Sequence, residues 1–430
     1  MFWPTFLAVL SVTALTGMAL GAALGLTGLI ILQFVAGNAA GLAINTVWNT
    51  LNSFTLTAIP LFIFMGEILM ASGISRRAYT AIAPMFDRVP GSLLHTNIAV
   101  SAAFSAVSGS SISTAAAVGS VAYPEMKARG YEPRQVIGSI AAGGTLGLLI
   151  PPSLSLLIYG ALTETSIGQL FAAGLVPGVL MAVLFMAFIY LRVRLRGAPT
   201  ETKGDHHPFG RALVMLLSLW PLVLLFFAVM GSIFFGLATP TEAAAVGVIA
   251  SVLIGFFAGD LTLTRLYRAL LASVVTFTSI GFIFVGALIL GQSVAILGIA
   301  REMVEGVSAA GFHPYLLFAI IALLYLVLGC VFDGLSIMIM TLPVVFPLLT
   351  GLGFDPIWLG VIITIMVEIG LITPPVGLNL YVLTAIAGRD VSISGAARGA
   401  IPYWAIMLVM VALLTAVPGI ALWLPTLLFR

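Results

Sequence analysis

The chain has 430 residues, of which 61% are hydrophobic and 7% charged, where a soluble globular domain carries roughly a quarter charged residues. It cannot cover itself with polar surface, so its outer solvent has to be lipid. The net charge of +2 comes with no basic patch for nucleic acid, and the single cysteine, Cys330, excludes internal disulfides and any cysteine-built metal cage. Four histidines at 95, 206, 207 and 313 offer no zinc spacing within a helix.

Apolar runs near the ~20 residues of a membrane span recur along the whole chain. The first, Thr5 to Phe34, is long for one span and short for two. It lacks the charged start and small-residue cleavage site of a signal peptide and reads as a retained membrane segment. Charged residues are scarce enough to mark the loops. Arg76, Arg77 and Arg88 share one break, and Lys127, Arg129 and Arg134 the next. The stretch 192–211, with Arg194, Arg196 and Lys203, reads as a solvated loop. Asp260, Arg265 and Arg268 mark another break, and Arg389 and Arg398 another. The positive-inside rule puts all of these on the cytoplasmic side. Breaks near Glu164, near Asp355 and from Arg301 to His313 have no basic excess and belong outside.

Within this map, Pro124 to Pro152 recurs as Pro347 to Pro375 at a constant offset of 223 residues (347 less 124). Gly-Tyr-Glu-Pro (Gly130 to Pro133) matches Gly-Phe-Asp-Pro (Gly353 to Pro356). Gly-Leu-Leu-Ile-Pro-Pro (Gly147 to Pro152) matches Gly-Leu-Ile-Thr-Pro-Pro (Gly370 to Pro375). The first Gly-x-x-Pro loop is basic and inside; the second holds only Asp355 and lies outside. The halves therefore read as inverted, with one extra span, about Leu213 to Phe235, between them. Upstream the repeat continues weakly, Phe62 to Gly66 resembling Phe282 to Gly286. Paired, proline-broken apolar segments at equivalent places in two halves point to the binding site of a secondary transporter.

Both ends of Ser92 to Glu125 face the cytoplasm, and its centre, Ser108-Gly109-Ser110-Ser111, is too polar for lipid. Its length allows two helices of about 15 residues each, short of two full spans. It reads as a re-entrant hairpin with its tip at mid-membrane. The second copy, about Tyr315 to Leu349 with a tip near Gly329 to Gly334, is the mirror hairpin from the opposite face.

The double prolines carry the chemistry. Two prolines after a glycine unwind a helix and free several carbonyls. Bare carbonyls cost several kcal/mol each in hydrocarbon, so such a break lines a protein-buried cavity or binds a cation; a kink packed on neighbouring helices is the plainer reading. Ser108 to Ser111, with Ser105, Ser113 and Thr114 nearby, can hold a carboxylate or complete a sodium shell, although small residues also serve helix packing. Glu67, Glu242, Asp333 and Glu368 are acids in apolar stretches and need a partner or a task. Asp333 and Glu368 could carry a proton or act as gates, or cap backbone ends. Glu242, in Thr239-Pro240-Thr241-Glu242, reads as a helix start. Asn379, after the second break, either reaches substrate or bridges helices. No Walker motif exists.

Ser108-Gly-Ser-Ser, Pro124-Glu-Met-Lys-Ala-Arg-Gly-Tyr131, Leu148-Leu-Ile-Pro-Pro-Ser153, Thr239-Pro-Thr-Glu-Ala-Ala-Ala245 and Gly370-Leu-Ile-Thr-Pro-Pro-Val-Gly-Leu-Asn379 resemble the large membrane subunit of tripartite ATP-independent periplasmic (TRAP) transporters, in the family's order and over nearly the whole chain. The resemblance implies sodium-driven uptake of an organic anion, usually a carboxylate such as a sialic acid or a four-carbon dicarboxylate. It also implies a periplasmic substrate-binding protein, a small four-helix membrane subunit, the bacterial inner membrane, and elevator movement of a transport domain against a scaffold. It implies two Na+ sites: Ser105, Ser108, Gly147, Ile150 and Pro152 for the first, and Gly329, Gly370, Thr373 and Val376 for the second. Ile150 has no hydroxyl where Thr373 has one, so the two shells differ.

The expectation is an all-α integral membrane protein with inverted repeats, each holding a re-entrant hairpin and a broken helix. Residues 92–165 and 314–388 form the transport domain, 1–91 hold scaffold spans and the start of the first repeat, 276–313 begin the second, and 166–275 and 389–430 belong to the scaffold. The anion sits between the hairpin tips, held by Ser108, Gly109, Ser110, Ser111, Thr373 and Asn379. Rival readings are a proton-coupled or uncoupled carrier of the same architecture, a channel, and an intramembrane serine hydrolase with Ser108 or Ser110 as nucleophile and His95 as base.

Overall fold

The computed structural model describes residues 2–196 and 215–429, and among them there is no strand. The first expected span is two short helices, α1 (Phe2–Leu15) and α2 (Leu20–Phe34), parted at Gly17, whose φ is +69°. Then follow α3 (Gly41–Leu51), α4 (Ala58–Ala71) and α5 (Ile74–Phe86), α4 and α5 meeting at 68°. The first hairpin is α6 (Leu93–Ser108) and α7 (Ser111–Ala128). The first broken helix is α8 (Pro133–Thr145) and α9 (Leu154–Thr163). Next come α10 (Ile167–Arg196), α11 (Leu217–Phe234) and α12 (Pro240–Phe257). Helix α11, long and apolar enough to cross a membrane, falls where the extra central span is expected. Most of the loop expected at 192–211 lies outside the described residues, as do the first residues expected for that span.

The second half then repeats the order. Helices α13 (Leu263–Ile296) and α14 (Ile299–Ala309) lead into a hairpin, α15 (Pro314–Gly329) and α16 (Gly334–Gly351). A second broken helix follows, α17 (Pro356–Leu371) and α18 (Leu378–Ala387), then α19 (Ile393–Ala416) and α20 (Gly419–Leu428). Helix α16 starts 223 residues after α7 (334 less 111), and α17 starts 223 after α8 (356 less 133). The hairpin arms have 16 and 18 residues in both copies, about 24–27 Å of helix. They are longer than expected, and α16 by itself is long and apolar enough to cross a membrane.

Local sequence explains the starts. Pro133 and Pro356 occupy the first turn of the two broken helices, where a missing N–H costs nothing. Asp355 accepts from the Ile357 and Trp358 N–H groups, and Glu242 completes a capping box with Thr239 as expected. Helix α17 is buried at every residue from Trp358 to Leu371, and α8 from Val136 to Thr145. The core thus lies on the two elements that are interrupted.

Three contacts set their relative direction. The Tyr159 hydroxyl near the end of α9 donates to the Pro356 carbonyl at the start of α17, at 2.6 Å. Lys127 and Tyr123, at the end of α7, meet Asp390, just beyond α18, at 2.5 and 2.9 Å; their donors hold the Asp390 carboxyl below the usual range. The second broken helix therefore starts where the first ends and ends beside the start of the first. Arg77, near the start of α5, and Asp260, in the loop before α13, are placed on one face by the charge pattern and lie 3.5 Å apart.

Glycines bring other helices into backbone contact. Helix α2 lies along α13, where a Cβ on Gly286 would stand 2.1 Å from the Gly21 carbonyl oxygen. Helix α19 meets α8 the same way, a Cβ on Gly138 falling 2.3 Å from the Gly399 carbonyl oxygen. Small residues serve this role in membranes because lipid supplies no hydrophobic drive between helices. Gly281, on the same α13, faces open space. Gly286→Ala should therefore cost about 1–3 kcal/mol through forced separation of α2 and α13, while Gly281→Ala should be neutral or stabilising by up to ~1 kcal/mol. Paired thermal melts of the two purified variants in one detergent check the contrast.

Candidate functional site

At the first break, α8 tightens into a 3₁₀ turn at Leu146–Leu148 and the chain stays non-helical until Ser153 caps α9. The peptide Pro151–Pro152 is cis, as is Pro374–Pro375 in the other copy. The tip of the first hairpin sits on this break. Gly109 ends α6 at φ +61°, and its carbonyl accepts from the Leu154 N–H at 3.2 Å. A Cβ on Gly109 would lie 2.8 Å from the Pro152 carbonyl oxygen, and one on Gly147 would lie 2.6 Å from that of Ser110. Only glycines permit this approach.

The second break is covered in the same manner. Val376 and Gly377 donate their N–H groups to the Cys330 carbonyl at 3.1 and 3.4 Å. Gly329 and Gly370 press together, a Cβ on Gly329 falling 2.5 Å from the Gly370 Cα. The Thr373 hydroxyl donates to the Ile369 carbonyl at 2.5 Å. Each hairpin tip therefore meets the break of its own repeat.

Several oxygens are left over. The carbonyls of Ile150 and Pro152 accept no hydrogen bond from the described residues, nor do those of Gly329, Thr373 and Val376. The Ser105 hydroxyl is fully buried without a partner, while Ser108 pairs with Thr114 at 2.7 Å. Uncharged oxygen donors on unwound backbone are the set that suits sodium, so the residues present fit the implied ion at both breaks. The two breaks differ in setting. Pro151, Pro152 and Ser153 are buried, whereas Pro374 and Pro375 are exposed. The hydroxyls differ too: Ser153 donates to the Leu148 carbonyl in the first break, and its counterpart in the second is Val376.

Glu368, on α17, joins the two copies. It is fully buried, and among the described residues it makes no ion pair. Its Oε2 accepts from the Ser111 hydroxyl at 2.7 Å, and its Oε1 from the Leu148 N–H at 3.2 Å. Asn379 Nδ2 donates to the same Ser111 oxygen at 2.8 Å. Asn379, read both as a substrate contact and as a bridge between helices, is buried, as is Ser111, and this bond joins α18 to the first hairpin. Of the residues expected to hold the anion, Ser110 and Thr373 keep partly exposed surface. Ser110 also caps α7, accepting from the Ser113 N–H at 3.4 Å. Asp333 caps α16, taking the Ser336 N–H at 3.0 Å and the Ser336 hydroxyl.

The serine-hydrolase reading fails on geometry. His95 bonds the Pro90 carbonyl at 3.0 Å and stacks on Phe86. It lies on α6 about 20 Å from Ser108 by helical rise, and Ser108 and Ser110 have no base among their partners.

One feature escaped sequence reasoning. A cavity of about 840 Å³ opens beside the end of α9, lined by Thr46, Asn49, Thr50 and Ser53 of the α3 region together with Glu164 and Thr241. The signal was present: 46, 49, 50 and 53 share one face at helical spacing in an apolar run.

Comparison with known proteins agrees with this architecture. The crystal structure of the YdaH transporter of Alcanivorax borkumensis superposes with a TM-score of 0.59 at 14% identity, covering 90% of this chain and 88% of that one. The C4-dicarboxylate TRAP transporter large permease protein DctM of Pseudomonas aeruginosa is 35% identical over 404 residues, 94% of this chain and 93% of its own. The sialic acid TRAP transporter large permease protein SiaM of Vibrio cholerae is 30% identical over 414 residues, 96% and 95% respectively. Residues 7–420 match the family described as the tripartite ATP-independent periplasmic transporter, DctM component. The chain belongs to that family: it is a multi-pass large permease component of a TRAP transporter and not an enzyme.

Proposed function

We propose that this permease takes up a small organic carboxylate by sodium coupling, in the bacterial inner membrane, with its two halves inverted across the bilayer. The observation that carries the reading is the pair of interrupted helices, each seated on a hairpin tip and each retaining carbonyls without hydrogen bonds. Relatives named for C4-dicarboxylate and for sialic acid supply the substrate class.

Ser105, Ser108, Gly147, Ile150 and Pro152 would hold one sodium ion, and Gly329, Gly370, Thr373 and Val376 a second. A bound cation would supply positive charge beside the hairpin tips, where no ion pair or basic partner is found among the described residues. The tips themselves do the positioning. Gly109 and Cys330 tie them to the breaks, so that a tip held by cation ligands presents Ser110 and Thr373 to the anion in one geometry. Affinity for anion and for cation is then linked without covalent chemistry. Transport moves the hairpins and broken helices as one block against α2, α4, α12 and α13. Because α19 packs on α8 through backbone contact, this reading moves α19 with that block, although 389–430 was expected in the scaffold. Substrate arrives on a periplasmic binding protein, and a small four-helix membrane subunit completes the complex.

Proteoliposomes containing the complex, given binding protein loaded with a sialic acid or with succinate, test the coupling. Uptake should follow an inward sodium gradient at equal pH on both sides. Uptake in choline driven by a proton gradient would replace this reading with the proton-coupled one. Thr373→Ala should raise the half-saturating sodium concentration by about tenfold, close to the loss of one hydrogen-bonding ligand group, with thermal stability within about 1 kcal/mol of wild type. Cys330, half-buried on the second tip, is a native probe. Its alkylation by a maleimide should slow in sodium relative to choline, measured by mass spectrometry of the purified complex.

A further inference from the structure

Buried carboxylates are costly unless paired, and a carboxylate offers only acceptors. Glu368 has taken one hydroxyl and one backbone N–H and, among the described residues, no cation. What it holds is specific. The Leu148 N–H belongs to the same planar trans peptide as the Gly147 carbonyl, so fixing the N–H toward Glu368 turns that carbonyl the opposite way. Gly147 is one of the residues fitted to the first cation site. On its other side, Ser111 at the first hairpin tip donates to Glu368 and accepts from Asn379. Glu368 precedes the second break and Asn379 follows it. A single hydroxyl of the first repeat therefore clamps both flanks of the interruption in the second. One turn earlier on α17, Thr364 pairs with Ser155 on α9 at 3.0 Å, so α17 also spans both flanks of the first break.

We propose that Glu368 is a positioning residue for both cation sites. It links the Gly147 carbonyl, the first hairpin tip and the two flanks of the second break into one unit, so that a monovalent cation held at either break is felt at the other. Its carboxyl group is the one buried acidic side chain among the described residues, set between two sites whose fitted ligands are all neutral. The inference rests on the sodium reading above.

The test uses binding, not transport. Thermal unfolding of the detergent-purified complex is followed by tryptophan fluorescence over a sodium titration, with choline keeping ionic strength constant and pH fixed. Wild-type Tm should rise sigmoidally with a Hill slope above unity. Glu368→Gln should raise the half-saturating sodium concentration by about tenfold, the scale of one hydrogen bond, and bring the slope to unity. Ser111→Ala keeps the carboxylate but cuts the bridge, and should bring the slope to unity with a smaller rise in half-saturation. Glu368→Asp should recover part of the slope, which a merely structural packing role would not predict. A wild-type Tm indifferent to sodium would remove the sodium reading and this inference with it. A responsive wild type whose slope and half-saturation survive in both Glu368→Gln and Ser111→Ala would overturn the role of Glu368 and leave the sodium reading standing. If Glu368→Gln does not fold, an unchanged slope in Ser111→Ala overturns the role alone.

Discussion

An interrupted helix inside hydrocarbon must find partners for the backbone groups it frees, because no water is there to take them. The rest of the molecule is arranged around that requirement. Gly109 and Cys330 each lend a carbonyl to N–H groups just beyond the prolines, and glycines at 109, 147, 329 and 370 let the tips come close enough to do so. Leu154, Val376 and Gly377 thus have their N–H groups taken, while the carbonyls of Ile150, Pro152, Thr373 and Val376 accept no hydrogen bond from the described residues. That imbalance favours a cation over an anion at the break itself.

The two copies share a plan and differ in environment. The first break is sealed by α6, α7 and α17, and its hydroxyl comes from Ser153. The second stands partly open, with its hydroxyl on Thr373. A repeat whose halves had identical surroundings would give two equivalent sites with no order of filling. Here one break is deep and one is accessible, and the Ser111–Glu368–Asn379 chain joins them.

Much of this was legible in the residues. Pro-Pro after glycine announces a break, an offset of 223 residues announces its copy, and the sparse arginines and lysines sort the loops. Asp355, Pro133, Pro356 and the Thr239–Glu242 capping box act as their local chemistry dictates. What stayed hidden depends on long-range register. Little local separates Glu368 from Asp333: both are acids within two residues of a glycine, in apolar surroundings. One caps its own helix through Ser336, three residues on, while the other reaches Ser111 and Leu148 across the repeat. Asn379 could equally have faced substrate, and only the meeting of α18 with the first hairpin decides that it bridges. The attachment of α19 to α8 rests on Gly138 and Gly399, two glycines unremarkable among the 45 in the chain.

The absence of a basic clamp from the apolar spans has a physical counterpart in the helix ends. A helix N-terminus carries about half a positive charge, which a carboxylate at the cap neutralises. Helix α16 begins on Asp333 and α17 on Asp355, so both ends are already compensated. Helices α7, α9 and α18 begin on Ser110, Ser153 and Gly377, none of them charged. Uncompensated ends therefore gather at the first tip and at the two breaks, and the compensated end of α16 lies at the second tip. An anion entering between the hairpins meets a field that is positive toward Ser110 and weak toward Asp333. On the sodium reading proposed above, cations at the breaks would deepen that difference without any arginine, and the anion would be held only once they are in place.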